Sequence, residues 1–203
     1  MKDLITNVLD LAKLKRADYA DIRIVRRQME GIEVKNGIVE ALTSDEDFGC
    51  GIRVLFQGAW GFAGSSKVNK QEMESIFNKA WKIAKGSSKA KGKDVFFPPG
   101  SPVVATCKTP ISIDPFNASP ENKLKLLLKA DEIMRQNKKV KISEAFMGCY
   151  KTAKTFASTE GSYIEQEIIE CGAGIAATAI EGGEVQVRSY PNSFRGNFAT
   201  KGY

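Results

Sequence analysis

Residues Gly49–Gly64, GCGIRVLFQGAWGFAG, are the stretch whose reading decides the fold. A glycine-rich loop that cradles phosphate runs from a strand into a helix and either closes with Lys-Ser or Lys-Thr or opens with GxGxxG. Gly49 and Gly51 make only a bare GxG. The residues that follow alternate, Ile52, Val54 and Phe56 against Arg53, Leu55 and Gln57, which is the period of a strand. Gly58 sits where a short turn reverses the chain into Trp60 and Phe62. The stretch therefore reads as a two-stranded hairpin.

Working outward, the strand pattern extends over Tyr19–Ser65 and predicts a meander of four or five antiparallel strands. Asn36-Gly37, between IEVK and IVEAL, marks a hairpin because both residues tolerate the positive φ of a tight I′ turn. Ahead of the meander, Leu4, Ile5, Val8, Leu9, Leu11 and Ala12 carry helical spacing. Behind it, Asn69 caps a second helix with Glu72 at N3 and Val68 placed to staple onto Met73. Met73, Ile76, Phe77, Ala80, Trp81 and Ala84 form its apolar stripe, and Gly86 is placed to end it.

Lys85–Pro120 holds six of the seven prolines and reads as an extended connector, with one short strand at Val103–Ala105. Ser119-Pro120-Glu121 opens a third helix with a cap and a proline at N1. Leu124, Leu127, Leu128, Ile133 and Met134 are its predicted apolar face, and strands resume near Lys141. Aligning GIVEALTSDEDFGCGIRVLFQG with GSYIEQEIIECGAGIAATAIEG puts Gly37 on Gly161 and Gly51-Ile52 on Gly174-Ile175. The order of elements argues for a duplication: one repeat over about 1–86, a proline-rich connector over about 87–118 and a second repeat over about 119–190. The expected class is α+β, with duplicated units of helix plus antiparallel meander forming an extended antiparallel sheet on which the helices pack.

Composition narrows the function classes. The 203 residues include no histidine, so the usual triads, the HExxH zinc helix and His-containing zinc sites are excluded. Cys50, Cys107, Cys149 and Cys171 are widely spaced with no CxxC pair, which argues against a zinc site and for buried free thiols in a reducing cytosol. No apolar run approaches the roughly 18 residues a membrane span needs, and the amphipathic N-terminus is no signal peptide, so the expected location is cytoplasmic. The net charge of +6 resides in Lys67–Lys93, where lysines follow one helix and its tail. That arrangement reads as a solvated face and matches a nucleic-acid surface poorly.

Three stretches, YADIRIVRRQMEGIEVKNGIVEALTSDEDFGCGIRVLFQGAWGFAGSS, DPFNASPENKLKLLLKADE and RGNFATKGY, together resemble the TldD/PmbA family of zinc metallopeptidases, also described as modulators of DNA gyrase. The hairpin carries the strongest part: G-x-G-x-R-V, a short turn and G-F-A, here Gly49, Gly51, Arg53, Val54, Gly61, Phe62 and Ala63. Asp114-Pro115 with Glu121 and Lys123, and the terminal Gly202-Tyr203, follow in the family's order. The resemblance implies an N-terminal domain over 1–190 and a tail at 191–203 leading to a C-terminal catalytic domain. There an HExxxH helix and a further ligand would hold zinc. With no histidine present, no catalytic or metal residue of the family falls on any position of this chain, which is expected to be inactive by itself.

The function so implied is a substrate-binding and assembly domain of a cytoplasmic zinc metallopeptidase acting on peptides or unfolded proteins. An extended peptide would add to a sheet edge, with Arg53, Trp60 and Phe62 as contact residues. The same residues read otherwise as a solvated strand arginine and two core aromatics. Gly37, Gly49, Gly51, Gly58 and Gly61 read as backbone requirements of turns and bulges. The expected partners are a peptide or unfolded protein and a second family member, as homodimer or heterodimer. A nucleic-acid or gyrase-associated module, suggested by the lysine helix, and a dimerisation scaffold without peptidase activity are the alternatives. Phe194, Phe198 and Tyr203 would be costly to leave exposed together, so a partner or further domain is expected over the tail.

Overall fold

A computed structural model describes residues 1–98, 100–191 and 197–203. Its elements are α1 (Lys2–Leu14), β1 (Tyr19–Lys35), β2 (Ile38–Phe56), β3 (Ala59–Ser65), α2 (Lys70–Ala90), β4 (Val104–Lys108), α3 (Pro120–Arg135), β5 (Val140–Ser158), β6 (Tyr163–Glu181), β7 (Glu184–Tyr190) and β8 (Asn197–Ala199). The strand order is β3-β2-β1-β5-β6-β4, with β7 and β8 also pairing with β6. The class is α+β, as expected. One pairing departs from the antiparallel rule, because β4 runs parallel to β6 from Val104↔Tyr163 to Lys108↔Glu167.

The meander has fewer and longer strands than the sequence suggests: three cover Tyr19–Ser65. Reversals occur only where two consecutive residues hold positive φ, at Asn36-Gly37 (49° and 81°) and Gln57-Gly58 (47° and 69°). Gly49, Gly51 and Gly61 lie within strands instead of turns. Their lack of a side chain serves close approach: a Cβ on Gly61 would fall 2.0 Å from the Ala80 carbonyl oxygen, and one on Gly51 3.0 Å from the Phe62 ring. Gly161, which the alignment superposes on Gly37, also has positive φ (94°) and closes the β5–β6 hairpin.

Helix ends follow local chemistry at their starts. The Asn69 side chain accepts from the Glu72 N–H and the Ser119 side chain from the Asn122 N–H. Gly86 does not end α2, which continues to Ala90 because nothing crowds the position and the turns beyond it stay in solvent.

The chain forms two compact units, each contributed by parts of the long strands. The first comprises 1–27, 47–108 and 152–167. Its core places Ile5, Val8 and Ala12 of α1 and Met73, Ile76, Phe77, Ala80 and Ala84 of α2 against Ala20, Ile22, Ile24, Ile52, Val54 and Ala63 of the sheet. The second comprises 28–46, 109–151 and 168–203, and its core sets Leu127 against Ile32, Val34, Ala145, Met147, Cys149 and Cys171.

The buried face of α3 differs from the expected one. Lys123, Leu127 and Asp131 are its buried residues, while Ile133 is 54% exposed. The two charges stay inside because each has a partner. Lys123 pairs with Glu30, and Asp131 accepts from Arg135 Nε (2.7 Å) and from the Ser143 hydroxyl (2.5 Å).

The tail adds one short strand, while Phe198 and Tyr203 stay partly exposed, at 36% and 41%. Asn197–Ala199 pairs with Cys171–Ala173, which Gly172 permits because a Cβ there would lie 2.4 Å from the Asn197 oxygen. Phe198 rests on Tyr150, ring centroids 5.6 Å apart, and the Tyr203 N–H donates to the Ile113 carbonyl at 2.9 Å. Phe194 lies outside the described residues.

Candidate functional site

Alternation along β1 gives the first unit two unlike sheet faces. Ala20, Ile22 and Ile24 point to the helices, so Tyr19, Asp21 and Arg23 take the opposite face, which β2 and β3 extend through Arg53, Trp60 and Phe62. Register fixes the neighbours: Arg53 stands opposite Phe62, and Leu55 opposite Trp60.

Asp21 organises this face. Its carboxylate is fully buried and accepts from Arg53 Nε (2.9 Å) and an Arg53 terminal nitrogen (2.6 Å) on one oxygen. The other oxygen accepts from Arg23 (2.6 Å). A buried carboxylate needs this saturation. Arg53 is held firmly in its charged form, chiefly by the hydrogen bond to Asp21. Burial, aided by the Asp21 charge and hydrogen bond, pushes the Tyr19 hydroxyl up to about 12.

The guanidinium of Arg53 lies over the Trp60 ring at 5.0 Å. Trp60 meets Tyr19 and Phe97 edge-on at 5.9 and 5.7 Å, and Tyr19 and Phe97 are 4.4 Å apart. The structure thus brings the three sequence-predicted contact residues onto one face. Arg53 is an ion-paired strand residue, Phe62 is 60% exposed, and Trp60 is half-buried in an aromatic cluster outside the helix-side core.

Sequence reasoning missed Tyr19, Asp21, Arg23 and Phe97. The available signal was an aspartate inside the apolar run Ala20–Ile24, a position that burial tolerates only with cationic partners.

The face is built of paired charges and aromatic surface. Its carboxylate is taken up by two cations, and burial pushes its tyrosine hydroxyl up to about 12. It offers cationic N–H donors for carbonyl or carboxylate oxygens beside aromatic surface.

In the second unit, a cavity of about 520 Å³ opens on the sheet face opposite α3. Gly31 and Gly148 leave the space, Phe146, Tyr150 and Phe198 supply aromatic walls, and Glu33 adds a charge. The Asp114-Pro115 motif is structural. The Asp114 carboxylate accepts from the Phe116 N–H (2.9 Å) and from Lys151 (3.0 Å). Burial raises its pKa, but these bonds prevail and hold it below the usual carboxylate value.

Residues 20–84 match the description PmbA/TldA metallopeptidase domain 1, and residues 113–201 match the PmbA/TldA metallopeptidase central domain, together more than half of the chain. A metalloprotease from Methanocaldococcus jannaschii is 31% identical over 183 residues, spanning 88% of this chain and 40% of that protein. A metalloprotease from Methanothermobacter thermautotrophicus is 26% identical over 171 residues, 84% of this chain and 36% of that one. Among solved structures, a proposed modulator of a DNA gyrase from Thermotoga maritima superposes with a TM-score of 0.77 at 17% identity. It covers 98% of this chain and 43% of that one. TldE from Thermococcus kodakarensis gives 0.72 at 16% identity, over 92% and 42%.

The chain belongs to the PmbA/TldD metallopeptidase family. It spans well under half the length of the curated relatives it matches.

The metal that the relatives' names imply finds no fitting group of residues among the described ones. Histidine is absent from the sequence, and no group of three or more Cys, Asp or Glu among the described residues could hold an ion. No helix among the described residues is long and apolar enough to cross a membrane.

Proposed function

We propose that this chain is the substrate-binding and assembly portion of a cytoplasmic metallopeptidase, receiving an extended peptide or unfolded protein segment. Zinc and the bond-breaking groups lie in a different portion of such an enzyme. The observation that carries this reading is the Arg53–Trp60–Phe62 face beside β3, whose only strand partner among the described residues is β2. A strand with one open edge can accept a peptide through main-chain hydrogen bonds, with aromatic side chains receiving alternate residues. Such pairing is indifferent to most of the peptide's sequence, which suits a substrate class defined by being unfolded. In the assembled enzyme we expect a second family member as partner, in a homodimer or heterodimer.

The test is fluorescence anisotropy of a labelled, unstructured peptide titrated with the chain, beside Arg53→Ala, Trp60→Ala and Phe62→Ala. Phe62 is 60% exposed, so its replacement leaves folding intact, and its loss should weaken binding by roughly fivefold or more, the scale of an interface residue that contributes about 1 kcal/mol. No binding by the unaltered chain, or equal binding by all three variants, refutes the proposal. Oligonucleotide binding that weakens steeply with salt would favour the nucleic-acid alternative.

A further inference from the structure

Cys149 on β5 and Cys171 on β6 are far apart in sequence but adjacent in the second unit, their sulfurs 3.3 Å apart and both buried. At the turn between these strands the Ser158 N–H donates to the Ser162 carbonyl. Counting the same number of residues back along each strand sets Cys149 opposite Cys171. Directly opposed residues in such a pair have Cβ atoms about 4.5–5.5 Å apart, close to the separation of about 3.5–4.5 Å that a disulfide spans. Joining the sulfurs, now 3.3 Å apart, needs a side-chain rotation and a slight approach of the two strands, on the order of 1 Å or less.

We propose that Cys149 and Cys171 form a reversible dithiol–disulfide pair, oxidised by a peroxide and restored by a small dithiol, which cross-links β5 to β6 beneath α3. The surroundings divide the roles. With Cys149 as the donor, the hydrogen bond lowers the Cys171 pKa and the Lys123 charge adds to the effect, against burial and the Glu30 charge, which raise it. The same hydrogen bond, with burial, raises that of Cys149. Cys171 is also the more accessible, 9% exposed against 1%.

The Cys171 thiolate attacks the peroxide, breaking the O–O bond and leaving a sulfenic acid and an alcohol or water. Cys149 then attacks that sulfur. The S–S bond forms, the sulfenic oxygen leaves as hydroxide, and it takes up the Cys149 proton to become water. In sum two thiols lose two electrons and two hydrogens, and the peroxide is reduced. Exchange with a dithiol reverses the cross-link.

The cross-link would pin the strands that wall the cavity, because Gly148 and Tyr150, which flank Cys149, both line it. It rests on residues the peptide-binding proposal does not use, so each can fail alone.

The experiment uses the whole chain carrying Cys107→Ser, which removes the exposed thiol. The folded protein is treated with hydrogen peroxide, remaining thiols are alkylated after denaturation, and peptides are mapped by mass. The expected result is a peptide joining Cys149 to Cys171, two hydrogens lighter than its parts and separated again by dithiothreitol, while Cys50 remains alkylated. In a Cys149→Ala variant, dimedone should trap a sulfenic acid on Cys171. Both cysteines recovered as free thiols, or oxidised singly without joining, would overturn the proposal.

Discussion

Replacing Gly61 by alanine adds one methyl group where β3 meets α2. The new carbon would lie 2.0 Å from the Ala80 oxygen, 2.5 Å from the Ala84 nitrogen and 3.0 Å from the Ala84 Cβ. Carbon contacts are comfortable at about 3.5 Å, so α2 must withdraw by roughly 1.5 Å. The nearest atoms are backbone, and no rotamer change moves them aside. A gap of that size forfeits much of the dispersion attraction that Met73, Phe77, Ala80 and Ala84 make with the sheet. Overpacking costs about 1–3 kcal/mol, and the rigidity here places Gly61→Ala near the upper end, about 3 kcal/mol. Gly86→Ala makes the same chemical change inside α2 where nothing lies within 4 Å, and should stabilise by about 0.5–1 kcal/mol.

The assay is urea unfolding followed by tryptophan fluorescence. Trp60 and Trp81 are the chain's tryptophans and both belong to the first unit. With a slope of about 2–3 kcal/mol per M, the Gly61→Ala midpoint falls by roughly 1 M while that of Gly86→Ala rises slightly. Equal midpoints for Gly61→Ala and the unaltered chain would refute the seating of α2 on β3.

Two further outcomes follow from the Asp21 cluster. Asp21→Asn keeps the shape but strips the charge that holds Arg23 and Arg53. Breaking a fully buried pair costs about 3–5 kcal/mol, but these guanidiniums are 39% and 38% exposed and can regain water, so about 2 kcal/mol is expected in the same urea assay. An unchanged midpoint would refute the anchoring role. For Tyr19, the folded value of about 12 lies above the ordinary 10.0, so its contribution is complete below pH 10 and is lost as pH rises towards 12. The tyrosinate absorbance titration of the unaltered chain minus that of Tyr19→Phe should centre near the higher value, and a difference centred near the ordinary one would count against the burial.

Local chemistry was legible throughout. Asn36-Gly37 and Gly58 mark turns because positive φ suits few residues. Asn69 and Ser119-Pro120 mark helix starts because the first N–H groups need an acceptor. Val103–Ala105 foreshadowed β4, displaced by a residue at its start. The peptidase family was legible in the hairpin and in the Asp114-Pro115 and Gly202-Tyr203 signatures.

What stayed hidden depends on atoms remote in the chain. Gly49, Gly51 and Gly61 look like turn glycines until a neighbouring backbone or ring is seen to occupy the space of their missing side chains. Lys123 and Asp131 look solvent-facing on α3 until Glu30, Arg135 and Ser143 are found to satisfy them.

The sequence by itself determined the class of fold, the family and the absence of histidine chemistry, because these rest on residue type and short-range spacing. Only the tertiary structure decided that Asp21 binds Arg53 into a face with Trp60 and Phe62, and that Cys149 meets Cys171. Both contacts arise between strands, where partners are set by register and burial, and a pattern read along one strand carries no record of what lies across from it.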